Sequence, residues 1–297
     1  MNRPNYLEKG NTIAIVSTAR KVSKKELKPA MSILKEWGLK AVLGKTIGAE
    51  DHQFAGNDEL RASDFQEMLD NTEIKAIWCA KGGYGTVRII DQLDFSKFKK
   101  QPKWIIGYSD ITVLHSQIHN FGIETLHAQM PVGIETKTEA SSNSIQQVIF
   151  GESYTISIPS EKNNKNGKVS SQLVGGNLSI LYSLCGSPSA LNTDGKILFI
   201  EDLDEYLYHI DRMLYSLKRN GMFDKLSGLI VGGMSQMNDN TIPYGKTPEE
   251  MILEICKEYD FPIAFNFPAG HREDNQALIM GREVKLEVNS ENVILKF

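Results

Sequence analysis

Apolar residues come in short runs through the first half of the chain, and each run gives way to helical spacing. TIAIVST (12–18) reads as a buried strand, KKELKPAMSILKEWG (24–38) as an amphipathic helix closed by Gly38, and KAVLG (40–44) as a second strand. NDELRASDFQEMLDN (57–71) is predicted helical, with Asn57 as its cap. IKAIWCAKGGYG (74–85) and KWIIGYSD (103–110) each run from a strand into a turn, and ITVLHSQIHNFG (111–122) follows as a helix. Strands alternating with helices predict βα units and a mostly parallel sheet. Ligands of such sheets gather where strands end and helices begin, and two glycine-containing turns, AKGGYG and IGYSD, fall at such ends.

The pattern changes from about Thr136 to Gly167, where the chain is polar and irregular; EKNNKNGK (161–168) is its most loop-like part. A linker is expected here, between an N-terminal α/β domain over 1–140 and a smaller C-terminal α+β domain over 167–297, the linker itself covering 141–166. In the second half, KILFIED, LSGLIVGGM and FPIAFNF read as strands, and EVKLEV and NVILKF as a closing hairpin. HIDRMLYSLKRNG places Ile210, Met213, Leu214 and Leu217 on one helical face, with Gly221 beyond. TPEEMILEICKEY opens with Thr247, Pro248 and Glu250, the signature of a capping box.

The chain has 297 residues, enough for two cores, with 41% apolar and 24% charged residues, the make-up of an ordinary soluble protein. A net charge of -4 gives no general attraction to nucleic acid or anionic membrane, so a small molecule or peptide is the expected partner. The three cysteines are far apart and set in apolar runs, which predicts reduced thiols and neither a disulfide framework nor a zinc site. The polar start MNRPNYLEKG has no secretory h-region, and no apolar run is long enough to span a bilayer, so a cytoplasmic location is expected.

Several familiar motifs fail. Gly44-Lys45-Thr46 and Gly245-Lys246-Thr247 lack the first glycine of a P-loop, with Leu39 and Asn240 in its place. Gly83-Tyr84-Gly85 begins a dinucleotide turn, but Arg88 holds the third glycine position. His115 and His119 share a helix face without the glutamate of a zinc-protease pattern, and no metal is expected. Asn177 fits a helix N-cap and is given no chemistry.

Three segments supply the residue types of an acyl-transferring serine. Ser109 stands at a strand end before a helix, where outward amides suit an oxyanion; alone it reads first as a helix cap. Glu201 ends the KILFIED alternation, and His271 follows the glycine of FPAGH. The turn is not the G-x-S-x-G elbow of α/β-hydrolases, because Ile111 takes its last position.

AKGGYGTVRIIDQLDF, WIIGYSDIT, LHAQMP, LVGGNLSIL, LFIEDLDE with YHIDRML, GLIVGG and FPAGH occur in order between Ala80 and His271. In these the chain resembles the LD-carboxypeptidase family of serine peptidases, which includes muramoyltetrapeptide carboxypeptidases and microcin C self-immunity peptidases. The resemblance implies Ser109 as nucleophile, Glu201 as acid and His271 as base. It also implies an oxyanion hole of backbone amides, for which Asp110 and Gly83 are the candidates, beside Gly82. It implies no cofactor, a homodimer, and a murein tetrapeptide losing its terminal D-alanine. Arg88 is a candidate for the terminal carboxylate, or a surface arginine; Tyr84 lines the pocket or packs at the domain interface. The self-immunity alternative calls for an inserted loop, and the stretch from Glu201 to His271 is short (271 − 201 = 70). A noncatalytic α/β binding protein, with Ser109 as a cap, is the reading of another class.

Overall fold

In the computed structural model, which describes residues 1–297, the first half builds one sheet. Strands β1 (Thr12–Val16), β2 (Lys40–Leu43), β3 (Ile74–Cys79), β4 (Trp104–Gly107) and β5 (Thr125–His127) alternate with helices α1 (Lys28–Glu36), α2 (Asp58–Asp70), α3 (Ser96–Lys100) and α4 (Thr112–His119). Their spatial order is β2-β1-β3-β4-β5, all parallel. The chain therefore leaves β1 toward one edge and β3 toward the other, a topological switch point. The buried runs of β3 and β4 are apolar because helices cover both faces of the sheet. Asn57 caps α2 as expected, accepting from the Leu60 amide at 2.8 Å.

The second half continues with α5 (Glu139–Phe150), β6 (Thr155–Pro159), β7 (Gly167–Asn177), α6 (Leu178–Leu184), β8 (Ile197–Leu203), α7 (Leu207–Arg219), β9 (Gly228–Ser235), α8 (Pro248–Ile255), β10 (Ile263–Ala264), β11 (Leu278–Met280), β12 (Glu283–Val288) and β13 (Asn292–Lys296). It forms a mixed sheet in the order β10-β9-β8-β7-β12-β13-β6. The first four of these strands run parallel, and the rest pair antiparallel through the expected hairpin. Ile210, Met213, Leu214 and Leu217 bury the expected face of α7, and Thr247 with Glu250 closes the expected capping box on α8. Strand β11 leaves this half and joins the first sheet, antiparallel to β5.

The stretch expected to be irregular carries α5 and β6. Thr138 caps α5, and its buried face holds Ser141 and Ser144 beside Ile145, Val148 and Ile149. Ser141 donates to the Asn275 carbonyl at 2.7 Å, and Ser144 accepts from the Ala277 amide at 2.9 Å. Serines that meet backbone partners in this way bury a face that apolar periodicity does not reveal. One apolar core runs between the two sheets, from Trp78 and Leu126 to Leu173 and Phe199.

The near-miss Gly44-Lys45-Thr46 has its anion built in. The Asp64 carboxylate accepts from the Lys45 and Thr46 amides, both at 2.9 Å, and from the Thr46 hydroxyl at 2.6 Å.

Candidate active site

The site lies where strand ends of the two sheets face each other. Strand β4 ends in Gly107, Tyr108 is extended, and Ser109 takes a φ of 62° before the chain winds into α4. A non-glycine residue at positive φ is strained, and such strain collects at functional turns. The turn is anchored from below by His115 on α4. Its Nε2 donates to the Gly107 carbonyl and its Nδ1 accepts from Thr125, both at 2.8 Å. Both ring nitrogens are thus engaged within the protein. Burial holds the imidazole down at about 3, so it stays neutral.

Glu201 sits on β8, where the register with β9 shifts between Ile200 and Asp202. A bulge of this kind re-aims side chains near sites. The loop carrying His271 leaves β10 and passes across that bulge, with the Gly233 amide donating to Ala269 at 3.0 Å. Gly270 adopts a φ of 97°, and a Cβ there would stand 2.6 Å from a Glu201 carboxylate oxygen, so only glycine lets the loop settle against the acid. Ser235 donates to the His271 carbonyl at 2.6 Å and fixes the loop's far side.

These elements bring three expected side chains into a line. His271 Nε2 lies 3.1 Å from Ser109 Oγ, and His271 Nδ1 lies 2.7 Å from Glu201 Oε2. The same carboxylate oxygen accepts from the His271 backbone amide at 3.0 Å. Burial pushes the fully enclosed Glu201 upward, but the imidazole's charge and hydrogen bonds outweigh it and the net direction is down. Burial pushes His271 down, and the Glu201 charge and hydrogen bond outweigh that too, leaving it raised. The Tyr108 ring packs on the imidazole at 4.8 Å between centroids.

Gly82 backs onto the serine; a Cβ there would lie 3.0 Å from Ser109 Cβ. The amides of Gly83 and Asp110 donate to no backbone carbonyl. The Asp110 carboxylate, buried and raised by that burial, accepts from the Thr86 amide at 2.9 Å and so ties the serine turn to the glycine turn.

A cleft of about 420 Å³ opens over Ser109 and His271, with Arg20, Lys81, Gly82 and Gly83 on one side and Asn177, Ser179 and Asp202 to Glu205 on the other. Tyr84 and Arg88 are not on its walls. Tyr84 leans toward Phe54, and Arg88 holds Asp58 with two hydrogen bonds, at 2.9 and 2.6 Å.

Two residues of the cleft escaped the sequence reading of their roles. Asn177 does cap α6, accepting from the Ile180 amide, but its Nδ2 also donates to Asp202 at 2.9 Å and reaches Glu201 at 3.4 Å. Its pairing with Glu201 across β7 and β8 has no local signal. Asp202, raised to about 7 by burial and by Glu201, accepts from Asn177 and from the Ser179 amide.

Comparison with known proteins gives the family of the chain. Residues 13–128 match the family model of the LD-carboxypeptidase N-terminal domain, and residues 170–286 that of the C-terminal domain. The chain is 34% identical to a probable murein peptide carboxypeptidase of Bacillus subtilis, across 99% of this chain and 94% of the relative. It is 27% identical to the microcin C7 self-immunity protein MccF of Escherichia coli, across 96% and 92%. The crystal structure of a muramoyltetrapeptide carboxypeptidase from Oxalobacter formigenes superimposes with a TM-score of 0.88 at 27% identity, covering 96% of this chain and 98% of the other. The chain belongs to the LD-carboxypeptidase family, with both its N-terminal and its C-terminal domains present.

Proposed function

We propose that the protein is a serine LD-carboxypeptidase with Ser109, Glu201 and His271 as its triad. Its substrate is a murein tetrapeptide, and the bond cut joins an L-centre, L-lysine or meso-diaminopimelate, to the terminal D-alanine. The observation that carries the reading is the continuous hydrogen-bond path from Glu201 through His271 to Ser109. A nucleophile, a base and an orienting acid in that chain are the parts acyl transfer needs.

Glu201 accepts from Nδ1–H and so leaves Nε2 free to take the hydroxyl proton. Ser109 Oγ then attacks the carbonyl carbon, and the developing oxyanion takes hydrogen bonds from the Gly83 and Asp110 amides. The imidazolium, stabilised by Glu201, returns the proton to the leaving amine, and D-alanine departs. Water repeats the sequence on the acyl-serine and restores the enzyme.

The 27% identity to MccF supports a second reading, an amide hydrolase acting on microcin C-like peptide-nucleotide or aminoacyl-sulfamoyl adenylates. Mass spectrometry separates the two: the wild type is expected to release D-alanine from L-lysine or diaminopimelate tetrapeptides and to leave an aminoacyl-sulfamoyl adenosine intact. Ser109→Ala should lower peptide turnover by about 10⁴-fold or more. Unchanged turnover in that variant would refute the serine mechanism.

A further inference from the structure

A carboxypeptidase must find the chain end, and that end is a carboxylate one carbon from the scissile nitrogen. Its receptor must therefore lie within a side chain's reach of Ser109. Among the cations near the cleft, Lys81 shares its charge with Glu26 at 3.4 Å, Arg88 is held by Asp58, and Arg61 is buried against Asp58. Arg20 alone on the cleft wall enters no ion pair.

Its placement is built. Arg20 lies in the loop after β1, and Gly82 and Gly83 lie in the turn after β3, so the two flank the switch point of the sheet. The Arg20 backbone is pinned: Ser17 Oγ donates to its carbonyl at 2.6 Å, and Arg20 bridges to Phe54. Its side chain lies across Gly83, where a Cβ would come within 2.5 Å of Nε. Gly82 touches the serine and Gly83 touches the arginine, so one dipeptide separates nucleophile from cation. The opposite wall carries Asp204 and Glu205, whose carboxylates disfavour a second carboxylate beside them.

We propose that Arg20 receives the α-carboxylate of the substrate's terminal residue and so decides that the last amide is the one attacked. The inference rests on the peptidase reading. A guanidinium is suited to it, because its planar donors match a carboxylate two for two. The acidic wall leaves the terminal carboxylate one orientation across Ser109, toward the first domain.

The test compares a murein tetrapeptide bearing a free C-terminal acid with its C-terminal amide, in wild type, Arg20→Gln and Arg20→Lys. The wild type should prefer the acid by about 100-fold in kcat/KM, the worth of a charged hydrogen-bonded pair. Arg20→Gln should shrink that ratio below about 5-fold, and Arg20→Lys should fall between. An acid-to-amide ratio unchanged in Arg20→Gln overturns the assignment. Calorimetry of the same two peptides on Ser109→Ala, with and without Arg20→Gln, keeps the two readings apart. If the wild type cleaves neither peptide, the peptidase reading falls; an acid preference in binding that disappears with Arg20 still supports the receptor, and equal binding of acid and amide overturns it.

Discussion

Glu201 and His271 shift each other in opposite directions, and the sign of each shift has consequences for pH. As the proposed base, His271 works only when neutral, so its raised value shifts the acidic limb of kcat/KM upward from the ordinary imidazole value. Glu201→Gln should move that limb to lower pH, because burial then acts on the imidazole without the opposing charge. The same variant should lower kcat by about 10³–10⁴-fold, as expected where the base loses its orienting carboxylate. A pH profile of kcat/KM in which the limb stayed in place would show that Glu201 does not tune the base. The pair also contributes to stability. The histidine's share is full below its ordinary value and is lost as pH rises through the raised one; the glutamate's share is full above its ordinary value and is lost as pH falls through the lowered one. Both are present between the ordinary values of 4.5 and 6.5.

At the scale of elements, the glycine turn after β3 has no regular partner and is held by side chains instead. The buried Arg61 of α2 donates to the carbonyls of Thr18 at 2.6 Å and Gly85 at 2.9 Å, and pairs with Asp58. Thr18 and Thr86 share a hydroxyl bond at 2.8 Å, and Asp110 takes the Thr86 amide. Arg61→Met would leave these carbonyls buried without donors, at a cost of about 2–4 kcal/mol. Urea unfolding should register that loss, and steady-state kinetics should show kcat falling more than KM rises, with Arg61→Lys recovering part of both. A variant that lost stability but kept its kcat would mean that the clamp does not position the turn. The strand-to-turn units of this region were legible because each is an apolar run ending in glycine or a small polar residue. Ser109, Glu201 and His271 each stand where such a run stops, which marks them only as candidates; their joint roles as a triad are what the family resemblance implies. Arg61 was not legible, since a basic residue on a predicted helix ordinarily faces water. Helix α5 was missed because its buried face is partly serine, and Arg20 because nothing local shows that its loop and the glycine turn meet.

For the whole molecule, Ser109 follows a strand of one sheet, Glu201 lies in the other and His271 on a loop that runs from the second sheet to the first, so the proposed reacting geometry depends on how the sheets sit together. Their shared apolar core fixes that, aided by Arg282, which donates to both Glu124 oxygens between β11 and β12 at 3.0 and 3.1 Å. Arg282→Met should lower stability by about 3–5 kcal/mol, the cost of stranding an enclosed carboxylate, and a denaturant titration would measure it. If activity and the far-ultraviolet signal then fell at different denaturant concentrations, the sheets would be separating before they unfold. The sequence pattern showed two halves but not their exchange of a strand, because three residues of LIM carry too little periodicity to assign them to a distant sheet. That exchanged strand also sets an order in time. On the ribosome the first five strands emerge before the rest, yet β5 keeps a bare edge until residues 278–280 have been made, after every member of the proposed triad. A stalled or clipped nascent chain therefore exposes an unpaired strand edge, and the sheet that leads into the proposed nucleophile is completed only after both of its proposed partners have been made.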